Sequence, residues 1–196
     1  MPGSDRASSA SSTPGGVFQR AVDYIGVRVT EAIARIDPAR VSRAVQMVQK
    51  APQVFVYGAG RSGIIARAFA MRLVQTGVTA YVIGESVTPI VRKGDLVVIF
   101  SNRGESQSSL QTANIVRREG ADLIVVTSRG NSKLSHAANI LLELDFPEEK
   151  DRPTLSPLGT LFESGSLRLA DGIIAELMQV RGETEESLRQ RHAIMV

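Results

Sequence analysis

The chain of 196 residues contains no cysteine and no tryptophan. The first absence excludes disulfides, thiolate metal sites and thiol nucleophiles together. With only 5% aromatic residues against 43% hydrophobic, the core must be aliphatic, and no aromatic ladder exists on which nucleic-acid bases could stack. No run approaches the ~18 consecutive apolar residues of a membrane helix. The opening MPGSDRASSASSTPGG lacks the apolar segment of a secretory signal, so a cytoplasmic protein is expected. Histidine is scarce too: His136 and His192 stand far apart without HxxxH or HxxE spacing, which leaves no recognisable metal-ligand set. The pI of 9.6 suggests a polyanion partner, but the formal charge is only +3. Basic residues are scattered among acidic ones with no basic run, so neither nucleic acid nor membrane is expected as a partner.

What is present is an alternation. Residues 1–16, rich in Ser, Gly and Pro, cannot bury enough apolar surface to order themselves and are expected to form a disordered tail. From Val17, apolar residues fall on one helical stripe through Ala21, Tyr24, Ile25, Val29, Ala32, Ile33 and Ile36. Asp37-Pro38 then reads as a stop followed by the N-cap of a second helix over 38–50. Beyond Pro52, short β-rich runs at 53–57, 79–83, 95–100, 122–127 and 139–143 alternate with helices near 61–76, 106–119 and 132–138. Helices near 160–181 and 184–192 follow a Pro-punctuated loop. Near-continuous apolar strands joined by helices predict one α/β domain with a parallel sheet covered on both faces, preceded by two helices.

The first strand runs into Gly58-Ala59-Gly60-Arg61-Ser62-Gly63, which satisfies the GxGxxG pattern of dinucleotide folds. Glu85, at the end of the second strand, stands where a ribose-binding carboxylate belongs. A second feature argues against a dinucleotide. The third strand ends in Ser101-Asn102-Arg103-Gly104-Glu105-Ser106-Gln107-Ser108, another glycine- and hydroxyl-rich turn that opens another helix. Each serine alone reads as a helix cap. Two such turns at the carboxyl ends of neighbouring strands, with Ser62, Ser101, Ser106 and Ser108, can instead surround one phosphate from several sides.

These residues resemble the sugar isomerase (SIS) domain, and within it the 6-phospho-3-hexuloisomerases. The resemblance rests on GAGRSG at 58–63 with AMRL at 70–73, GESVTP at 84–89, the turn at 101–108, LGTLFE at 158–163 and RHA at 191–193. It runs over residues 17–196. It implies a five-stranded flavodoxin-like parallel sheet, a homo-oligomer that is commonly a tetramer, and sites near subunit contacts. It also implies interconversion of 3-hexulose 6-phosphate (D-arabino-hex-3-ulose 6-phosphate) and fructose 6-phosphate, with no metal and no nucleotide cofactor. The chain departs from the family pattern S-x-S-G-x-[ST]: Arg103 replaces the middle serine, and Asn102 stands where hexuloisomerases usually have glycine. This leaves open an isomerase of a different ketose or aldose phosphate, and a non-catalytic sugar-phosphate sensor.

Moving a carbonyl between neighbouring carbons needs a base to take a proton beside it and donors for the enediolate oxygens. Glu163 is the first candidate base. Thr160-Leu161-Phe162-Glu163 also reads as a capping box, which would turn the carboxylate back onto its own helix. The matched glutamate is catalytic by resemblance. His192, with an ordinary pKa near ~6.5, is the second candidate on the RHA resemblance. It would serve ring opening or proton transfer, in its own subunit or a neighbour's. Phosphate and sugar contacts are expected from Gly60, Arg61, Ser62, Glu85, Thr88, Ser101, Asn102, Arg103 and Ser106. Arg103 could grip the phosphate bidentately, crowd the cradle, or read another part of the substrate.

Overall fold

A computed structural model describes residues 16–194. Five strands, β1 (Val54–Gly58), β2 (Ala80–Val82), β3 (Leu96–Phe100), β4 (Asp122–Thr127) and β5 (Ile140–Glu143), form one all-parallel sheet in the order β2-β1-β3-β4-β5. Around it run α1 (Gly16–Ala34), α2 (Pro38–Lys50), α3 (Arg61–Gln75), α4 (Gln107–Glu119), α5 (Lys133–Ala137), α6 (Arg152–Leu155), α7 (Thr160–Arg181) and α8 (Glu185–Gln190). The expected strands appear within one residue of their predicted ends, and α2 and α7 match theirs. Only the single-turn α6 is additional. It interrupts the Pro-rich connection, where Pro153 sits in the first turn and tolerates helix because no donor is needed there. The predicted tail lies outside the described residues except for Gly16, which belongs to α1.

Strand periodicity sorts the core into two layers. Val54, Val56, Leu96, Val98, Phe100, Ile124, Val126 and Leu142 face α1, α2, α3 and α7. Phe55, Val97, Ile99, Leu123 and Val125 face Ala113 and Val116 of α4 and Leu134 of α5. Both sides of β3 are therefore buried, which explains its unbroken apolar run LVVIF.

Two local devices hold the connections. Helix α3 crosses the end of β1 so closely that a Cβ on Gly58 would lie 2.6 Å from the backbone C and O of Ser62. Gly60, at φ 58°, caps α3 in a conformation that side chains disfavour. Elsewhere, Glu149 ties the β5–α6 connection to α1, accepting from Tyr24 Oη at 2.8 Å and from Arg28 Nε at 3.0 Å. Tyr24's hydrogen bond, followed by Arg28, holds the Glu149 carboxyl below its usual range against a desolvation that opposes them. Burial first, and then Glu149, pushes the Tyr24 hydroxyl up.

Candidate active site

Strand register brings the two glycine turns together. Gly58 of β1 pairs with Phe100 of β3, so both strands end at the same level and their turns emerge side by side. This is also where the strand order reverses, β2-β1 on one side and β3-β4-β5 on the other, the place in open α/β sheets where ligands sit. A cavity of about 470 Å³ opens there between Ala59, Ser62, Phe100, Ser101, Asn102, Arg103, Glu105 and Ser106. The N-termini of α3 and α4 border it, and both dipoles favour an anion. A second cavity of about 330 Å³ adjoins it over β4 and β5, with Asn102 and Arg103 common to both and Gly159 and Ser128 in its wall. A hollow of about 510 Å³ between α2 and β5 is larger. Its walls carry Arg40, Arg43 and Lys50 but no carboxylate or hydroxyl, and it lies away from the strand ends that present the site residues.

The expected residues fall into three groups. Ser62, Ser101, Asn102, Arg103 and Ser106 line the first cavity together, with Gly60 in the same turn as Ser62. Ser106 also caps α4, its Oγ accepting from Ser109 N at 3.3 Å and donating to Ser109 Oγ at 2.6 Å, so the capping and lining roles coexist. Ser108 is exposed on α4 and does not reach the cavity wall, because the helix has already turned it away. Arg103 is exposed and makes no hydrogen bond or ion pair with the described residues.

Glu163 corrects the capping-box reading. The helix begins one residue earlier than that motif requires, with Gly159 as N-cap and no side-chain cap bond. Thr160 Oγ1 instead donates to Pro157 O at 2.7 Å. The carboxylate is thereby free, and Arg61 Nε donates to Glu163 Oε2 at 2.5 Å. Glu163 is only 15% exposed while Arg61 is 73% exposed, so a mostly solvated guanidinium holds a mostly buried base candidate. Neither residue lines the two cavities, but Glu163 stands beside Gly159 in the wall of the second. A capping box does occur at Thr184–Ser187, opening α8.

Glu85 and Thr88 depart from expectation. Glu85 Oε1 accepts from Arg67 Nη2 at 2.8 Å and Nε at 3.2 Å on the outer side of α3, and Thr88 Oγ1 donates to Val82 O at 2.6 Å. Neither lines the two cavities, because β2 is only three residues long and the chain turns away at Gly84 with φ 104°. His192 departs further. Arg191 beside it donates to Gln75 O at 3.0 Å, at the C-terminal end of α3. Arg61 is at the other end, about 21 Å away along the helix. His192 is exposed there, its Nδ1 2.8 Å from Ala193 O, and does not meet Glu163 of its own chain.

The family model described as the SIS domain matches residues 47–163. The chain belongs to the SIS-domain family. The matched span of this SIS domain runs from the end of α2 to Glu163, so it ends at the candidate base; α1 and the rest of α7 complete the core beyond it. Among relatives, a 3-hexulose-6-phosphate isomerase from Bacillus subtilis is 34% identical over 72% of this chain and 78% of its own. One from Methanocaldococcus jannaschii is 31% identical over 78% and 82%. A solved structure, the hypothetical protein MJ1247 from Methanococcus jannaschii, superposes with a TM-score of 0.82 at 27% identity, covering 90% of this chain and 99% of that one. That structure is described as inferring a molecular function of 3-hexulose-6-phosphate isomerase.

Residues at the end of β4 were missed from sequence. Thr127 Oγ1 and Ser128 N both donate to Asn102 O, at 3.1 and 3.0 Å, and Ser128 Oγ donates to Asn102 Oδ1 at 2.8 Å. The signal existed: Thr127-Ser128 ends an apolar strand just as Ser101-Asn102 does. Among the described residues, no cluster of His, Cys, Asp and Glu is arranged to hold a metal ion, and no helix is long and apolar enough to cross a membrane.

Proposed function

We propose that this SIS domain is a sugar-phosphate ketol isomerase that interconverts 3-hexulose 6-phosphate and fructose 6-phosphate by acid/base chemistry. The observation that carries the reading is the convergence of two hydroxyl-bearing turns on one cavity, with the partly buried carboxylate of Glu163 held by Arg61 beside Gly159 of the adjoining cavity. Relatives bearing the isomerase name support the choice of sugar.

In this reading the phosphate sits against Gly60, Ser62, Ser101 and Ser106, with Arg61 and Arg103 adding positive charge. Its binding energy holds the reacting carbons in register. Glu163 takes the proton from C2 of the 3-ketose, forming a 2,3-enediolate. The proton returns to C3 while the hydroxyl proton passes from O2 to O3, and fructose 6-phosphate results with no atom gained or lost. His192 of the partner subunit serves ring opening or proton transfer, since His192 of the same chain lies about the length of α3 away. That assignment requires a homo-oligomer, expected to be a tetramer. The exposed apolar side chains of Phe18, Ile64 and Met71 supply surface for such contacts.

The test is incubation of fructose 6-phosphate with the protein in deuterated water, followed by NMR. Appearance of the 3-ketose together with deuterium at the reacting carbons is expected. If neither appears, this substrate assignment is wrong. A second reading, an isomerase of another phosphorylated ketose or aldose, is favoured by one observation: Arg103, which pairs with none of the described residues, borders both cavities and so can contact the sugar as well as the phosphate. In that case Arg103→Ser changes which phosphosugar turns over fastest, and an unchanged substrate profile rejects it.

A further inference from the structure

Resting on that isomerase reading, we propose that Asn102 is the hydrogen-bond donor to the reacting carbonyl and enediolate oxygen, and that Ser128 is the positioning residue that aims it. The geometry starts at the Asn102 backbone, whose carbonyl is pinned by Thr127 Oγ1 and Ser128 N. Ser128 Oγ then donates to Asn102 Oδ1 at 2.8 Å, which leaves the amide nitrogen facing the other way. On that side stands Gly159, and a Cβ placed there would lie 3.4 Å from Asn102 Nδ2 and 2.8 Å from Glu163 Oε1. The amide and the carboxylate therefore flank one small gap, and the absence of a side chain at Gly159 keeps it open. The carboxylate also settles which way round the amide sits. An amide oxygen in that position would face Glu163 Oε1, itself only an acceptor when ionised, whereas the NH₂ group supplies donors.

A gap bordered on one side by a base and on the other by a fixed N–H donor suits the two ends of one elementary step. As Glu163 takes the proton from carbon, negative charge grows on the neighbouring oxygen, and a donor already oriented toward it pays no reorganisation cost at that moment. Glycine at position 102 could not do this, so the departure from the hexuloisomerase pattern gains a chemical role. The hydroxyls of Ser62, Ser101 and Ser106 remain with the phosphate, and Asn102 serves the reacting end.

The experiment compares wild type with Asn102→Asp, Asn102→Ala, Ser128→Ala and Ser128→Thr. It reads kcat and KM, and the calorimetric affinities for inorganic phosphate and for a phosphorylated aldonohydroxamate, a mimic of an enediolate. Loss of a preorganised oxyanion donor costs about 10²–10³ in kcat, the loss expected for both Asn102 variants. Their hydroxamate affinity falls in parallel, while phosphate affinity of Asn102→Ala stays within about threefold because the donor contributes ~0 there. Ser128→Ala loses about tenfold in kcat with KM unchanged, the worth of one hydrogen bond, and Ser128→Thr restores it. A merely structural Ser128 would lower the melting temperature without splitting kcat from KM. The proposal is overturned if Asn102→Ala keeps its hydroxamate affinity, if wild type binds no hydroxamate, or if Ser128→Ala raises KM alone. Should wild type bind the hydroxamate through Asn102 yet leave fructose 6-phosphate untouched, the donor assignment stands and the choice of sugar falls.

Discussion

Replacing Glu163 with Gln separates chemistry from architecture at a single atom. The amide keeps the size of the carboxylate and an oxygen able to accept from Arg61, but it cannot take a proton from carbon. A positioned general base contributes about 10²–10⁴ in rate, so kcat should fall by that factor, equivalent to ~3–5 kcal/mol on the barrier. The stability cost is far smaller. Arg61 is 73% exposed, so its attraction to Glu163 is largely screened, and exposed pairs contribute ~0.2–1 kcal/mol. For a chain of this size that is a fall of about 2–4 °C or less in Tm. The assay is ¹³C NMR of ketose interconversion, paired with a thermal melt and a titration with inorganic phosphate. Phosphate affinity should survive because its cradle is built from the backbone and hydroxyls of the turns at 58–62 and 101–106, none of which the substitution removes. The reasoning fails if kcat drops less than about tenfold, or if the variant loses phosphate binding along with turnover.

Three further outcomes follow from other parts of the molecule. Gly58→Ala would drive a methyl group to 2.6 Å from the Ser62 backbone, which cannot swing aside as a side chain would, so unfolding stability should fall by about 3 kcal/mol or more in a urea titration. Glu163→Gln and His192→Ala should each be nearly inactive alone. Unfolded, mixed and refolded together, they should regain activity through assemblies in which one site combines an intact Glu163 with an intact His192; no regain rejects a shared site. The Glu149 carboxyl, held low chiefly by Tyr24 and then by Arg28, contributes stability that is present above its unfolded pKa near ~4.3 and is lost as pH falls through its lower folded value. An acid series of thermal melts should show that loss in wild type and a weaker dependence in Glu149→Gln.

Much of the candidate site was legible because it depends on short-range chemistry. Gly60 needs a positive φ, Ser106 caps the helix it precedes, and the apolar runs must be strands buried on both faces. Each of these follows from residues within a few positions of one another. The misreadings share the opposite property. Thr160 and Glu163 have the spacing of a capping box, but a local pattern cannot say whether Gly159 or Thr160 starts the helix, nor that Arg61 waits 102 residues away to take the carboxylate. Glu85 sits at a strand end, where a ligand-binding carboxylate is plausible, until the shortness of β2 turns it onto Arg67.

Alternation of strand and helix, the two glycine turns and the aliphatic core were therefore written in local sequence, since periodicity and turn chemistry act along the chain. Which turns meet was decided by the register of β1 on β3 and of β3 on β4, a long-range choice made by packing both faces of the sheet at once. That register sets Ser62 beside Ser101, Ser128 against Asn102, and Asn102 across from Glu163. The fold also leaves His192 at the far end of α3 from Arg61, away from Glu163 of its own chain. Side-chain identity supplied the candidate donors and the candidate base, and the tertiary fold assigned them their partners.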